Sequence, residues 1–343
     1  MFLKKDSKTN QSDEDPGYFD SEHKNLIRSN WNQPLIKFLS KKTNSKLIYI
    51  GLPSREAKDI LQWLDYIKSV IAFQCRDYKN SSDPSQTREE IIALEGLLRD
   101  LERQRKIDDF VVFDGFLEEV ILREFDNSPS QIEFAQNSVI TLYNLDFCNK
   151  ITSPMKYVDR NGDVQTAYKF NAIQKLLHLQ NSLSKISDRF IFFLTVHSSY
   201  DGKEIHDFVN TPPNSVISEY LKKYNKLQGD EKNARIVRLF TVYQIQTYFV
   251  AHNFTPKFLP VVKYNGLRNA QLLHFVVMGV KSVPTASGVA NHQSFEDIMD
   301  LKFATIEKNN FVNSQSEIDE KNITILDPLS FFTNSRTYKK LWE

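Results

Sequence analysis

The sequence contains little cysteine and little glycine, two and ten residues respectively among 343. Two cysteines, Cys75 and Cys148, are too few for a disulfide scaffold or a cysteine-based zinc site, and they indicate a reducing compartment. Both lie in apolar runs that are typical of strands. Ten glycines leave few places where the backbone can approach a ligand closely, so a glycine-rich nucleotide loop has little to form from.

Long apolar segments are also missing. Residues 1–17 are polar and mixed in charge, unlike the apolar core of a signal peptide, and we expect them to form a mobile arm. The most apolar stretch, LLHFVVMGV, is too short to cross a bilayer. The sequence therefore predicts a cytoplasmic protein with no membrane partner.

The charges of the chain are balanced. Charged residues make up 25% of the sequence, hydrophobic residues 41%, and the formal net charge is +1, which is typical of soluble globular proteins. No global field steers the chain toward nucleic acid. Two basic runs, residues 98–106 and 221–226, are typical of solvated helix faces. Alternatively, these runs and the aromatic residues near them flank a groove for nucleic acid. The balanced net charge does not support a nucleic-acid partner.

Several catalytic signatures are absent. Neither G-x-S-x-G nor G-x-x-x-x-G-K-[ST] occurs, which argues against a serine hydrolase and a P-loop triphosphatase. His197 and His206 follow a predicted strand, but a gap of nine residues across a loop is not a recognised spacing of metal ligands, so no metal site is predicted. For His197 the alternatives are a structural hydrogen bond and the lining of a pocket at the strand ends.

The chain divides into four segments: a flexible arm (1–17), a helical segment (18–45), a main domain (46–284) and a C-terminal extension (285–343). Apolar residues of the helical segment follow helical spacing, and Pro34 must start a new turn or kink the helix. The extension is less regular, with a helix predicted near SFEDIMDLKFATIEKN. Its end, DPLSFFTNSRTYKKLW, either folds back onto the sheet or contacts a protein partner.

Strands and helices alternate through the main domain. The predicted strands are KLIYIGL, SVIAFQC, DDFVVFDGF, NSVITLYNLDFC and RFIFFLTVHSS. They are apolar on both sides, as burial between two helical layers requires. Two later apolar runs flank Asn265-Gly266, a hairpin signal. The sequence thus predicts an α/β fold whose mostly parallel seven-stranded sheet ends in an antiparallel hairpin, with helices on both faces.

This order of elements, together with four loop positions, resembles the class I S-adenosylmethionine-dependent methyltransferase family from about Lys46 to Val283. The helix that precedes the first strand is similar to that of bacterial three-Cys-motif partner proteins, a methyltransferase-like group. The resemblance implies a Rossmann-like fold and S-adenosylmethionine as the cofactor.

The resemblance places the cofactor at the ends of the first two strands. There Gly51, Leu52 and Pro53 would cradle its methionine part and ribose, since glycine admits a close backbone and a helix N-terminus offers donors. The family favours more glycines, and Pro53 removes a donor. Gln74 stands where the family has Glu or Asp for the ribose hydroxyls, and a neutral oxygen accepts more weakly. Asp77 is an alternative acceptor.

At the end of the third strand, Asp114 and Gly115 match the resemblance. An acidic side chain here would accept from the adenine amino group while the neighbouring backbone frames the ring. The alternative is that Asp114 caps the helix that follows.

The end of the fourth strand, YNLDFC, resembles the Asn/Asp-Pro-Pro-Tyr/Phe loop that holds the substrate nitrogen in amino-methyltransferases. Asn144 and Phe147 would fill the outer positions, with Leu145 and Asp146 in place of the prolines. Methyl transfer requires a nitrogen placed in line with its lone pair available, which is largely a positioning problem. Alternatively, Asp146 serves as a general base. A further alternative is that the whole stretch is a strand end with a polar cap and has no substrate.

Two functional hypotheses follow. The first is a methyltransferase acting on an amino nitrogen of nucleic acid or protein, with Asn144, Asp146 and Phe147 as catalytic residues. The second is a methyltransferase fold that has lost this chemistry and serves as a binding or scaffold subunit of a bacterial multiprotein system, such as anti-phage defence. Asp114-Gly115 and the Asn144–Phe147 loop favour the first; scarce glycine and the missing ribose carboxylate favour the second.

Overall fold

The structure is a computed structural model that describes residues 21–74, 89–147, 150–266, 270–282, 293–313 and 325–333. The predictions for the N-terminal arm, for both cysteines and for Asp77 concern residues outside these ranges.

Twelve strands are present in the described residues. They are β1 (Leu47–Gly51), β2 (Ile67–Gln74), β3 (Asp109–Asp114), β4 (Leu142–Asp146), β5 (Met155–Val158), β6 (Val164–Ala167), β7 (Arg189–His197), β8 (Phe254–Phe258), β9 (Val262–Asn265), β10 (Gln271–Lys281), β11 (Ala304–Glu307) and β12 (Asn310–Asn313).

The same ranges contain eleven α-helices. They are α1 (Glu22–Leu26), α2 (Gln33–Thr43), α3 (Lys58–Gln62), α4 (Glu89–Arg103), α5 (Leu117–Arg123), α6 (Lys169–Leu183), α7 (Lys203–Asn210), α8 (Ser215–Tyr224), α9 (Gly229–Ala251), α10 (Phe295–Asp300) and α11 (Ser330–Thr333). A π-helical turn (Ile27–Asn32) joins α1 to α2, and a 3-10 turn (Leu64–Tyr66) follows α3.

Ten strands form one sheet, in the order β12-β11-β9-β10-β7-β4-β1-β2-β3, with β8 also paired to β10. Strands β1, β2, β3, β4 and β7 run parallel to their neighbours, and β10 runs antiparallel to β7. Five parallel strands ordered in this way, followed by an antiparallel pair, form the predicted Rossmann-like methyltransferase fold. The hairpin predicted at Asn265-Gly266 is confirmed, since β9 and β10 pair there.

The predicted count of seven strands was too low for two reasons. Pro260 has no N–H for the ladder, and the chain between β8 and β9 leaves the strand conformation there, so that both strands pair with successive parts of β10. The C-terminal extension adds β11 and β12 beyond β9. A separate hairpin of β5 and β6, inserted between β4 and α6, was also not predicted.

Helices cover both faces of the sheet. Helices α5 to α9 bury apolar residues against one face, and the π turn, α2, α3 and α4 against the other. Helix α4 shows why the sequence pattern succeeds: Ile91, Leu94, Leu98 and Leu101 recur every three or four residues, and all four are buried. The predicted two-sided burial of the central strands is confirmed by β7, where only the terminal residues are partly exposed.

The N-terminal helical segment lies across the second face. Pro34 is in the first turn of α2, where its missing N–H is tolerated, and the chain is π-helical immediately before it. Trp31, Leu35, Ile36 and Leu39 are fully buried. Helix α1, by contrast, buries none of its residues. The segment is therefore anchored through α2 and the π turn, and not through α1.

The C-terminal extension is fixed to α9 by a buried arginine. Arg238 is 2% exposed, and its Nη2 donates to the carbonyl oxygens of Ile298, Met299 and Leu301 at 2.7, 3.3 and 2.6 Å. These carbonyls lie at the end of α10, which therefore stops at Asp300. The helix predicted near SFEDIMDLKFATIEKN is present as α10, but it covers only the first part of this stretch, and the chain continues as β11.

The helix predicted after β1 is also shorter than its sequence pattern. Ser54 is of a residue type that favours the N-cap position, but it lies three residues before Ala57, whose φ of 42° starts α3 without a side-chain cap. Trp63 ends the helix, and its indole Nε1 donates to the carbonyl of Arg28 in the π turn at 3.1 Å. Contact with the N-terminal segment therefore accompanies the early end of the helix.

Among the described residues, no helix combines the length and the apolar character that a membrane span requires.

Candidate functional site

The loop after β1, Gly51-Leu52-Pro53, packs closely against β4. A Cβ atom on Gly51 would fall 2.6 Å from the carbonyl oxygen of Asn144 and closer still to the hydroxyl of Tyr49, so only glycine fits. The N–H of Leu52 donates to the same carbonyl at 3.2 Å. Pro53 is buried and has no N–H. The glycine is thus required by the protein's own packing, and the two residues after it offer no donor to a ligand.

Tyr49, Asp59 and Asn144 form a buried cluster beside this loop. None of the three is more than 9% exposed. Asp59 Oδ2 accepts from the Tyr49 hydroxyl at 2.5 Å and from Asn144 Nδ2 at 2.6 Å. Burial raises the pKa of Tyr49 well above its ordinary value, and the neighbouring Asp59 raises it further. The cluster ties α3 to β1 and β4, and it uses the Asn144 amide inside the protein.

Gln74, at the end of β2, is paired with an acidic residue from α4. Its Nε2 donates to Oε2 of Glu90 at 2.7 Å. A carboxylate therefore lies beside the end of β2 although the strand does not supply one. In this structure it accepts from the Gln74 amide.

The end of β3 places Asp114 in the interior, 2% exposed. The N–H of Asp114 donates to Asp126 Oδ2 at 3.1 Å, and the N–H of Gly115 donates to the carbonyl of Gln74 at 3.1 Å. Gly115 has a φ of 151°, in the region that favours glycine. Helix α5 begins after Phe116 without a side-chain cap, so the capping role considered for Asp114 is not observed.

The three residues predicted to place a substrate lie on opposite faces of the sheet. Asn144 and Asp146 line a cavity under the N-terminal segment. Phe147 is 5% exposed in the core on the other face, with Lys169 Nζ 5.3 Å from its ring centroid. Asp146 Oδ2 forms an ion pair with Lys24 Nζ of α1 at 2.6 Å. The structure thus brings Asn144 and Asp146 together and separates them from Phe147.

A buried hydrogen-bonded relay runs beside Asp146. His274 Nε2 lies 2.9 Å from Asn32 Oδ1, and His274 Nδ1 lies 2.9 Å from Thr195 Oγ1. Because an amide oxygen only accepts, Nε2 carries the proton and the Thr195 hydroxyl donates to Nδ1. Burial lowers the pKa of His274 to about 4, an effect that Asp146 opposes and Lys24 reinforces. His274 is therefore neutral at pH 7.

The cavity between the N-terminal segment and the ends of β4, β7 and β10 is small and polar. Its volume is about 30 Å³. That is the share of one molecule in liquid water. Its polar lining comes from Lys24, Arg28, Asn144, Asp146, Tyr264 and the relay formed by Asn32, His274 and Thr195.

His197, at the end of β7, makes a local hydrogen bond. Its Nδ1 lies 2.6 Å from the hydroxyl of Ser199, and burial, followed by the charge of Lys150, lowers its pKa. His206 lies in α7 with its ring centroid 5.7 Å from that of Tyr200. The part of the chain that the structure describes contains no group of three or more side chains placed to hold a metal ion.

Sequence reasoning missed the polar partners of this region, Lys24, Asp59, Glu90 and His274 among them. Lys24 lies on the polar helix α1, and the other three lie on elements with apolar residues; in both settings a single polar residue signals nothing by its spacing. His274 carries the one usable signal, since it interrupts the apolar run of β10 and must therefore find buried partners.

S-adenosylmethionine, the cofactor expected of this fold, does not fit these contacts well. The Leu52 N–H and the Gln74 amide donate to groups within the protein, and the space beside the Gly51 Cα is occupied by Tyr49 and Asn144. Glu90 is the described carboxylate that lies against Gln74, and it already accepts from that amide. Within the ranges that the structure describes, the ends of β1 and β2 therefore do not present the open donors and the acceptor that the cofactor requires.

Comparisons with known proteins give remote likenesses to solved structures. No family model matches the chain, and no curated protein matches it. Matching solved structures include an rRNA methylase from Streptococcus thermophilus, with 11% identity, a TM-score of 0.32, and coverage of 73% of this chain and 95% of that one. A candidate hemolysin from Lactococcus lactis matches with 10% identity, a TM-score of 0.35, and coverage of 82% and 97%.

A third match is a candidate methyltransferase from Streptococcus mutans in complex with SAH, with 12% identity, a TM-score of 0.33, and coverage of 73% and 97%. These likenesses are remote, and it is the chain's own strand order that defines its fold.

Proposed function

We propose that this chain is a binding subunit built on a methyltransferase-type fold, and that it does not transfer methyl groups at the end of β4. The observation that supports this most is the pairing of the two polar groups there. Asp146 is bound to Lys24 of the N-terminal segment, and the Asn144 amide is bound to Asp59.

This pairing conflicts with amino-methyl transfer in two ways. The Asp146 Oδ2 atom is already bound to the Lys24 ammonium group, so it is not open to accept a proton from a substrate. The Asn144 Nδ2 donates to a buried carboxyl, so reorienting it toward a substrate would leave Asp59 with one donor fewer. The separation of Phe147 from both groups removes the aromatic contact that the resemblance implies.

The second candidate function is S-adenosylmethionine-dependent methyl transfer to an amino nitrogen of nucleic acid or protein. One arrangement favours it: Asp114, Gly115 and Gln74 adjoin one another at the strand ends, with Glu90 beside them. One carboxylate at the end of β3 and a second beside the end of β2 suit the amino group and the hydroxyls of an adenosine. This candidate requires Glu90 to release Gln74 when the cofactor enters.

Calorimetric titration with S-adenosylmethionine and S-adenosylhomocysteine separates the two candidates. For a binding subunit without the cofactor, we expect no saturable heat and no rise in Tm at millimolar ligand, since a ligand that binds the folded state must stabilise it. Saturable binding that Asp114→Ala and Glu90→Ala both weaken would contradict the proposal and support the second candidate. Lys106→Ala, an exposed position at the opposite ends of the strands, is the matched control.

The partner of such a subunit is proposed to be a protein of a bacterial multiprotein system, such as anti-phage defence. The similarity of the N-terminal helix to three-Cys-motif partner proteins supports this setting. In the C-terminal extension, residues 325–333 fold back onto the chain: the Leu326 N–H donates to the Phe311 carbonyl at 2.7 Å, and the Phe332 ring stacks on Phe38. Co-purification from the native cell, followed by identification of the bound chains, tests the partner.

A further inference from the structure

The ion pair of Lys24 and Asp146 joins two distant parts of the chain in a partly closed site. The two residues are 122 positions apart, and their side chains are 13% and 27% exposed. Lys24 belongs to α1 and Asp146 to the end of β4. The Lys24 ammonium group is therefore delivered to the end of β4 from outside the sheet.

The site around this ammonium group is built for a small cation with several N–H donors. Asp146 accepts one N–H, and the cavity of about 30 Å³ beside the pair is lined by further polar side chains, Asn144, Thr195 and Tyr264 among them. The lining also includes the Arg28 side chain, so a cation that enters the site takes the place of Lys24 and is not added beside it. Neutral His274 adds no competing charge.

The element that carries Lys24 is held less firmly than the helix behind it. Helix α1 has five residues, none of them fully buried. Its described contacts with the sheet include the Lys24–Asp146 pair, the hydrogen bond of His23 Nδ1 to the Asn265 carbonyl at 3.0 Å and the edge contact of the His23 ring with Tyr264, while Leu26 packs partly against the core. The buried residues of the segment begin at Ile27, the first residue of the π turn. A local change that starts at this turn would therefore free Lys24 from Asp146 without exposing a fully buried side chain of α1.

We propose that the end of β4 is a binding site for the primary ammonium group of a lysine side chain from a polypeptide partner, and that Lys24 is the chain's own occupant of this site. The partner's lysine exchanges with Lys24 at Asp146, so the charge of the site is unchanged. A polypeptide is favoured over a free amine because Lys24 itself arrives on a helical turn, with the Asn265 carbonyl beside it as a second acceptor for a neighbouring residue.

Chemical rescue tests the site. In Lys24→Ala the Asp146 carboxylate loses its partner, and we expect Tm to fall by about 2 °C. n-Butylammonium, which mimics the lysine side chain, is expected to raise the Tm of this variant saturably at millimolar concentration, because binding to the folded state stabilises it. n-Butanol and tetramethylammonium, which lack the charge or the N–H donors, are expected to leave it unchanged. Lys24→Gln, which removes the charge and shortens the side chain by one atom, replaces Lys24→Ala if that variant does not fold.

Two controls decide whether Asp146 is the acceptor. Lys24→Ala/Asp146→Asn is expected to lose the response to n-butylammonium. Lys175→Ala, which removes the partly exposed pair with Glu124 at 2.8 Å, is expected to show none. No saturable response in Lys24→Ala, or the same response in the double variant, would overturn the proposal.

A peptide arm tests the polypeptide source. A peptide with the sequence of residues 21–27, SEHKNLI, is expected to bind Lys24→Ala at least tenfold more tightly than n-butylammonium, and its lysine-to-alanine counterpart is expected not to bind. If n-butylammonium and spermidine bind but the peptide gains nothing over them, the polypeptide part of the inference is wrong. The outcome is independent of the proposed function, since binding of S-adenosylmethionine would overturn that function and leave the rescue of Lys24→Ala unaffected.

Discussion

Asn32 and His274 are 242 residues apart in the sequence, and their side chains meet at 2.9 Å in the interior. Asn32 ends the π turn, and His274 lies near the start of β10, so this hydrogen bond joins the N-terminal segment to the antiparallel part of the sheet. Its direction is fixed by the amide oxygen, which accepts from Nε2, and burial favours the neutral form of the His274 ring.

The stability of the protein is expected to fall on acidification through His274. Its pKa is about 4 in the folded protein and has an ordinary value of 6.5, so the unfolded chain takes up the proton first. The contribution is complete above pH 6.5 and is lost as the pH falls toward 4, at most about 1.4 kcal/mol per pH unit. Urea unfolding of the wild type and of His274→Gln between pH 7 and 4.5 measures it. An equal pH dependence in both chains would rule out His274 as its source.

Gly51→Ala is expected to destabilise the protein by about 3 kcal/mol, because the added methyl group meets the Tyr49 hydroxyl and the Asn144 carbonyl in a packed region. Gly96 in α4 is the matched control, since a Cβ atom there meets nothing within 4 Å. Gly96→Ala is expected to stabilise the helix by about 1 kcal/mol. Denaturant unfolding measures the change in the free energy of unfolding for both variants. If Gly51→Ala does not lower it, the loop after β1 is less tightly packed than these contacts indicate.

Tyr49→Phe is expected to cost about 2 kcal/mol, because it removes one of the two donors to the buried Asp59 carboxyl. The variant keeps the ring, so packing is preserved. Tyr66→Phe, at the 3-10 turn, is the control: its hydroxyl makes no hydrogen bond to the residues that the structure describes, and we expect a change within about 0.5 kcal/mol. Equal effects of the two substitutions on the free energy of unfolding would contradict the cluster.

Arg238→Met is expected to cost about 3 kcal/mol, because it leaves the carbonyls of Ile298, Met299 and Leu301 without their donor. Hydrogen exchange should accelerate in residues 294–304 before the rest of the chain. The control is Arg103→Met, which removes an exposed pair with Asp100 one turn away on α4 and is expected to cost less than about 1 kcal/mol. Unchanged exchange in residues 294–304 would show that Arg238 does not hold the extension.

The parts of the fold that sequence patterns predicted are those whose burial is local and periodic. Helix α4 repeats its apolar residues every three or four positions, and β7 is apolar throughout. Each pattern therefore predicts a single type of secondary structure. The helix after β1 failed because Trp63 and Asp59 bond to partners outside the local sequence. The β5–β6 hairpin failed because its exposed strands carry no strong apolar signal.

The site was less predictable than the fold for a related reason. The position of Gly51 and the ends of β2, β3 and β4 follow from the order of strands. What those ends contact does not, because the decisive partners are single side chains on other elements. Lys24 reaches Asp146 across 122 residues, and Glu90 reaches Gln74 across 16, at spacings that no periodic pattern encodes.

Strands β8 and β9 pair with successive parts of β10, and each is protected from pairing with a strand of another chain in a different way. In β8 the ladder faces outward at Pro256, which has no N–H to offer. In β9 the outer side is covered by β11, which the C-terminal extension supplies. A chain shortened at residue 284 would therefore present the bare amides and carbonyls of β9 to any strand that met it, and would gain a tendency to self-associate edge to edge that the full chain avoids.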